Sequence, residues 1–468
     1  MKRSSSLAFG VAAAIGLAAF GAALMPPAVQ ARDGAVPAAA PDAPDAQVIR
    51  GEYLARAGDC ISCHTRAQGA PFAGGLPMAT PFGTIVSTNI TPDRQHGIGE
   101  YTQEDFARAL RKGRARDGHY LYPAMPYANF ARLSDDDLAA LYAYFMKGVK
   151  PAAQDNPRTD LKWPYRMRWL MAGWNLLYLP GRPYQPDTKQ TAEWNRGAYL
   201  VQGLGHCSAC HTPRGFAGAE KASTERDGGL FLSGAVIDGW YAQPLRNTAA
   251  PGLAGWSTQE LVEYLKTGRT AHTAAFGPLA QVVTNSTQHL SRDDLGAVAA
   301  YLKSLGSDGS GPAGAALQPP APAPQSKPSQ PPTDPTALAR RSGRTDRPGA
   351  LVYVNNCAAC HRSDGQGASR TFPTLARNSA VAAQDPTSLI RIVLQGSSMP
   401  YTAQAPSELG MPGFGWRLTD RNVADLLTFV RSSWGNRAGA VTPGQVAQVR
   451  STLGQSASTD AAALQQRR

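Results

Sequence analysis

Three stretches of the chain carry the same pattern of apolar and polar positions. Leu138, Leu141 and Phe145 recur at helical spacing behind Ser134-Asp135-Asp136-Asp137. The pattern repeats from Ser291-Arg292-Asp293-Asp294-Leu295 to Tyr301-Leu302, and from Thr419-Asp420-Arg421-Asn422-Val423 to Phe429-Val430. An apolar residue every three or four positions makes one buried helical face. A Ser or Thr followed by acids starts such a helix, because the hydroxyl accepts a free first-turn N–H and the acids meet the positive end of the helix dipole. Upstream, Arg50-Gly51-Glu52-Tyr53-Leu54, Arg196-Gly197-Ala198-Tyr199-Leu200 and Gly349-Ala350-Leu351-Val352-Tyr353 predict a matching set of short helices. Runs that alternate apolar and polar are scarce, so strands are not expected. The pattern predicts an all-α chain of three homologous small domains.

Local composition sets the boundaries. Lys2 and Arg3 precede an apolar run of 19 residues from Leu7 to Met25, and Val29 and Ala31 supply small residues before a cleavage point. Residues 1–31 therefore read as an export signal peptide, with an uncleaved anchor as the alternative. Between Pro312 and Pro335 nine of 24 residues are Pro, which predicts an extended spacer over 307–345. The expected organisation is a first domain at 45–150, a connector at 151–190, a second domain at 191–306, and a third at 346–436. A polar tail with at most one short helix is expected at 437–468.

The six cysteines sharpen this picture. They form three Cys-x-x-Cys-His motifs beginning at Cys60, Cys207 and Cys357, 147 and 150 residues apart, each just after one of the short upstream helices. On a helix, positions i and i+3 share a face and i+4 adjoins it, so Cys60, Cys63 and His64 can address one flat ligand. Two thiols then form thioethers to haem vinyl groups while the histidine binds iron. Cys207, Cys210 and His211, and Cys357, Cys360 and His361, repeat the set. A disulfide, a redox dithiol or half a zinc site are the alternatives. Three copies, each with its trailing histidine and no cysteine left over in an exported chain, favour three covalently bound haem c groups.

The opposite iron ligand is read separately. Met125 lies 13 residues before Leu138 and Met411 lies 12 before Val423, parallel offsets that favour both; Met399 competes with Met411. Met78, Met146, Met167 and Met171 read as core filler. Between Gly197 and Leu305 there is no methionine. The second haem then takes His272 as its candidate distal ligand, or His289, or a residue of a neighbouring domain, or is five-coordinate. His206, adjacent to Cys207, falls on the proximal side.

These strings resemble a family, the triheme cytochrome c subunits of membrane-bound bacterial dehydrogenases for alcohol, aldehyde, gluconate, sorbitol and fructose. The resemblance rests on Ser87-Thr88-Asn89-Ile90-Thr91-Pro92-Asp93, on Asp117-Gly118-His119-Tyr120-Leu121-Tyr122-Pro123-Ala124-Met125-Pro126-Tyr127, and on Trp194-Asn195-Arg196-Gly197-Ala198-Tyr199-Leu200. Thr212-Pro213-Arg214 and Met411-Pro412-Gly413-Phe414-Gly415-Trp416 add to it. It implies three tandem class I cytochrome c-like domains joined by linkers, and electrons received from a flavoprotein or quinoprotein dehydrogenase subunit and passed to ubiquinone. A small third subunit is a further candidate partner. It implies a location on the periplasmic side of the cytoplasmic membrane and a distal role for Met125 and Met411. The chain departs from the family's pattern at Leu279, where a methionine is expected.

Charge and composition change the picture least. Lys and Arg total 46 against 34 Asp and Glu, a formal +12. Three haems would bring six propionates, about six negative charges needing cationic partners, so nucleic-acid binding is not expected. The connector combines Lys162, Trp163, Arg166, Arg168 and Trp169, a mixture that suits either a membrane interface or packing between domains. No phosphate-binding glycine loop accompanies a strand and helix, so the chain is not expected to be the dehydrogenase itself. A soluble electron shuttle to a terminal oxidase, or a haem enzyme working at an open second haem, are the alternatives.

Overall fold

The computed structural model describes residues 45–248, 252–306 and 347–465, with side chains as far as Gly454. The expected signal peptide and proline-rich spacer lie outside these residues. The first repeat runs through α1 (Ala46–Ala57), the motif helix α2 (Cys60–His64), β1 (Pro77–Thr80), β2 (Gly83–Val86), α3 (Gln103–Lys112), the single turn α4 (Tyr127–Phe130) and α5 (Asp135–Ala143). The connector supplies β3 (Asp160–Leu161) and α6 (Leu170–Tyr178). The second repeat comprises α7 (Ala192–Gln202), α8 (Ser208–His211), β4 (Ala235–Ile237), β5 (Trp240–Ala242), α9 (Thr258–Thr267), α10 (Pro278–Asn285) and α11 (Arg292–Ser304). The third comprises α12 (Pro348–Asn356), α13 (Ala358–His361), α14 (Ser379–Ala382), α15 (Thr387–Gln395), β6 (Gly396–Ser398), β7 (Gly410–Pro412), α16 (Asp420–Arg431) and α17 (Pro443–Gln465).

The closing helices start where their caps predict. Ser134 Oγ accepts the Asp137 N–H at 3.2 Å, Ser291 Oγ that of Asp294 at 3.1 Å, and Thr419 Oγ1 that of Asn422 at 3.2 Å. The all-α expectation needs correction, because three small antiparallel sheets accompany the helices: β1–β2–β3, β4–β5 and β6–β7. These strands span two to four residues, too few for an alternating pattern to stand out.

In every repeat the first helix crosses the closing helix at a glycine. A Cβ at Gly51 would collide with the Ala140 carbonyl, at Gly197 with that of Ala297, and at Gly349 with that of Asp425. Glycine is needed here for close approach of two backbones, not for its torsion freedom. Gly197→Ala is expected to cost about 1–3 kcal/mol, as overpacking does, seen as a lower melting temperature than that of Gly296→Ala, whose Cβ would meet only Glu193 at 3.8 Å.

The first and second domains dock through their own repeated motifs. Within each, the arginine of α1 or α7 pairs with an aspartate of the closing helix: Arg50 with Asp137 at 2.5 Å and Arg196 with Asp294 at 2.7 Å. Across the interface the tyrosines exchange. Tyr53 OH donates to Asp294 Oδ2 at 2.5 Å and accepts the Ser291 N–H at 3.1 Å, while Tyr199 OH donates to Asp137 Oδ2 at 2.6 Å and accepts the Ser134 N–H at 3.1 Å. This is a pseudo-two-fold arrangement built from two copies of one sequence element. Leu204, Leu290 and Leu295 of the second domain complete the first domain's core.

The third domain lies against the second on a different face. Ser388 Oγ and the backbone of Tyr241 exchange hydrogen bonds of 2.8 and 3.2 Å, Arg391 donates to the Asp238 carbonyl and covers Trp240, and Arg370 pairs with Glu263 at 2.5 Å. Its Tyr353 turns inward and donates to the Arg362 carbonyl of its own domain.

The connector is strapped to the first domain, since β3 pairs with β2 and Asn89 Nδ2 donates to the Ala152 carbonyl at 2.8 Å. The segment after Asn436 is not a polar tail with at most a short helix. It forms the 23-residue α17, whose Val446 and Val449, with Val441 before them, are buried in the third core. Arg450 fixes this helix by donating to Asp420 at 2.8 Å and to the carbonyls of Gly415 and Leu418. Three valines among polar residues make a stripe too sparse to read from the sequence.

Candidate functional site

Each Cys-x-x-Cys-His motif folds into a short helix, or enters one, directly behind the first helix of its domain. The three histidines share one contact. His64 Nδ1 lies 2.7 Å from the Thr88 carbonyl, His211 Nδ1 2.6 Å from that of Gln243, and His361 Nδ1 2.9 Å from that of Pro373. Donation from Nδ1 fixes the tautomer that leaves Nε2 free to bind a metal and orients the ring. Burial lowers the pKa of all three, favouring the neutral ligand form.

None of the six cysteines is joined in a disulfide, and burial pushes the thiols of Cys60, Cys207 and Cys357 up to about 12 and that of Cys63 to about 11. A thiol held protonated is unsuited to the thiolate chemistry of a redox dithiol. Among the described residues no group of three or more His, Cys, Asp or Glu side chains could hold a bare metal ion. Two thiols and a histidine with its Nε2 free, three times over, fit a covalently attached tetrapyrrole whose iron the histidine binds. Such a group supplies one-electron chemistry.

Of the distal candidates, Met125 packs, as Cys60 does, against the first core, and Met411, as Cys357 does, against the third. Met146 joins the first core, whereas Met78, Met167 and Met171 are half-buried and join none of the three. Met399 lines a cleft between α10 and β6 rather than the third core. In the second domain Leu279 is half-buried on α10. The structure places His272 at the surface, its carbonyl accepting the Thr374 N–H at 3.2 Å from the third domain. His289 Nε2 faces Arg56 at 3.4 Å, and the half-buried His206 faces the Gly58 carbonyl at 3.4 Å. All three histidines sit at domain boundaries.

The first two motifs stand close together, each held by the other domain. Asn129, on α4 just beyond Met125, donates to Ser208 Oγ within the second motif at 2.9 Å; Asn285, on α10, donates to Ser62 Oγ within the first at 2.8 Å. Cys63 and Cys210 are near enough for charge on one to bear on the other. Sequence reasoning did not single out these asparagines, nor Asp137 and Asp294 as more than helix-start acids. The repeated Arg-Gly-x-Tyr-Leu was the available signal.

Asp59 was also missed. Its backbone is left-handed, its side chain accepts the Ser62 hydroxyl at 2.6 Å, and burial pushes its carboxyl up to about 7.

The profile of the cytochrome c family matches residues 48–148, 195–306 and 347–434. The chain is 50% identical to the gluconate 2-dehydrogenase cytochrome c subunit of Pantoea cypripedii, over 87% of this chain and 90% of that protein. It is 48% identical to the cytochrome c subunit of the quinone-type alcohol dehydrogenase of Gluconobacter oxydans, strain 621H, over 88% and 84%. With the fructose dehydrogenase cytochrome subunit of Gluconobacter japonicus it shares 39%, over 86% and 82%.

Proposed function

The chain belongs to the cytochrome c family, and on that premise we propose that it is the triheme electron-transfer subunit of a dehydrogenase complex that delivers electrons to membrane ubiquinone. Cys60, Cys63, Cys207, Cys210, Cys357 and Cys360 carry three haem c groups, with His64, His211 and His361 as proximal ligands and Met125 and Met411 as distal ones. The observation that carries this reading is the reciprocal seating of the first two motifs through Asn129–Ser208 and Asn285–Ser62, with the third domain docked on the second. Such an arrangement suits a chain of redox centres better than three independent shuttles. The partner is a flavoprotein or quinoprotein dehydrogenase. A quinone-reduction assay tests this: the haem-loaded chain combined with its cognate dehydrogenase subunit and substrate reduces ubiquinone, and the chain alone does not turn over peroxide.

Exposed apolar side chains on the connector support a peripheral seat on the periplasmic membrane surface. Trp163, Trp169, Leu176 and Leu177 are 71%, 66%, 86% and 73% exposed beside Lys162 and Arg166, the aromatic, aliphatic and cationic mixture of an interfacial segment. Among the described residues no helix is long and apolar enough to cross a membrane.

Two spectroscopic expectations follow. With Leu279 supplying no sulfur, the second haem has a lower potential or a high-spin signal; Leu279→Met raises the potential and converts the signal to low spin, whereas His272→Ala leaves it unchanged. The Asp59 carboxyl, beside Cys60, is neutral below about 7 and anionic above it. Negative charge favours ferric iron, so the first haem's potential falls as pH rises through that value. Redox titration between pH 6 and 8 shows the slope in the parent chain and a flat line in Asp59→Asn.

A further inference from the structure

A cavity of about 180 Å³ opens between the distal loop of the first domain, α6 of the connector and the loop that follows the second motif. Pro123 and Pro126, which flank Met125, form one wall, and Trp174 and Leu177 form another. Arg132, Arg214, Lys221, Glu220 and Asp227 supply charge, and Arg214 and Arg132 both bear on the Glu220 carboxyl. The volume is below the ~300 Å³ at which drug-sized ligand pockets begin, and suits a single substituted ring.

Its polar groups are placed for more than structure. Arg132 is 6% exposed, and its guanidinium donates to the Ala128 carbonyl at 3.0 Å but makes no ion pair among the described residues. Glu220 and Asp227 are close enough to act on its charge. The Glu220 carboxyl lies close enough to the hydroxyl of Ser208 to feel it; Ser208 lies inside the second motif and accepts from Asn129 of the first domain. Burial raises the Glu220 pKa. The cavity therefore adjoins both the first domain's distal loop and the second domain's motif. Its mouth meets Leu177, next to Leu176 on the exposed apolar run of α6.

We propose that this cavity seats the ring of a membrane quinone, with the isoprenoid tail leaving over Leu176 and Leu177, Arg132 donating to a ring carbonyl and Glu220 delivering a proton. The proposal rests on the reading of quinone as the electron acceptor. Reduction of the ring would take two protons and two electrons, the electrons supplied one at a time by the haem groups that the Cys-x-x-Cys-His motifs would hold, each passing from ferrous to ferric. One proton comes from the Glu220 carboxyl, which is reprotonated from water, and the other from water at the mouth. Two O–H bonds form, and the quinone becomes the hydroquinone.

The test uses the haem-loaded chain in complex with its dehydrogenase subunit and an azido-ubiquinone photoprobe. Label is expected on peptides spanning 170–178 and 214–227. Ala128→Trp, which fills the cavity, abolishes that label and slows ubiquinone reduction at least about tenfold, while ferricyanide reduction by the same complex and the haem content stay within twofold, about the parent values. Ser223→Trp fills it from the opposite wall and gives the same result should the first variant fold poorly. Glu220→Gln still takes the label but reduces quinone at least about tenfold more slowly with a flattened pH profile, as loss of a general acid does, and Glu220→Asp recovers most of the rate. Label on other peptides, or unchanged quinone reduction in both tryptophan variants, overturns the site. So does an Arg132→Gln variant that alters haem spectra and leaves labelling intact, since Arg132 would then be a propionate partner. A complex that reduces ferricyanide and neither reduces nor binds quinone overturns the underlying reading instead.

Discussion

Replacing Cys207 and Cys210 with alanine lowers covalent haem by about one third, because the vinyl groups of one site lose both thioether partners, and takes electron delivery from the dehydrogenase to quinone down to background. The position of the second domain sets the size of this effect. It contacts the first domain through the tyrosine exchange and the third through Ser388 and Arg391, so a missing centre there interrupts the chain rather than shortening it. The pyridine haemochrome spectrum measures haem loss, and ubiquinone reduction with the cognate substrate measures transfer. Undiminished transfer with the second haem absent would defeat the series arrangement.

The second large effect is on the docking of the first two domains. Asp137 has a side chain only 2% exposed and accepts from Arg50 and from Tyr199 of the other domain. Breaking a buried pair by removing one partner costs about 3–5 kcal/mol, less where the surviving charge reaches water. Arg50 is 57% exposed, so Asp137→Ala is expected to cost about 2–3 kcal/mol, the remainder coming from the Tyr199 hydroxyl left without its acceptor. Asp294→Ala is expected to behave alike, since Arg196 and Tyr53 repeat the arrangement. A double-mutant cycle between Asp137→Asn and Tyr199→Phe isolates the interdomain bond, with a coupling of about 0.5–3 kcal/mol for side chains in direct contact. Additive losses would mean that the tyrosine exchange contributes nothing to docking.

Local events are legible in the amino-acid sequence alone. A hydroxyl cap, a 3.6-residue apolar period and a Cys-x-x-Cys-His spacing are each satisfied within one or two helical turns. For that reason the three closing helices, their starting residues and the three motif helices were legible, and so was the missing methionine of the second domain. What depends on residues far apart was not. The Nδ1 partners of the three histidines are backbone carbonyls 24, 32 and 12 residues away, and a carbonyl has no identity in a sequence. The repeated Arg-Gly-x-Tyr-Leu was visible as a repeat, but its meaning was decided in three dimensions. The glycine admits a crossing helix, and the tyrosine reaches into the neighbouring domain. The same holds for the segment after Asn436, whose few valines become a buried face only because α15 and α16 stand ready to cover them. Short-range chemistry made three Cys-x-x-Cys-His helices readable, while the burial of distant groups against one another seated two of them side by side.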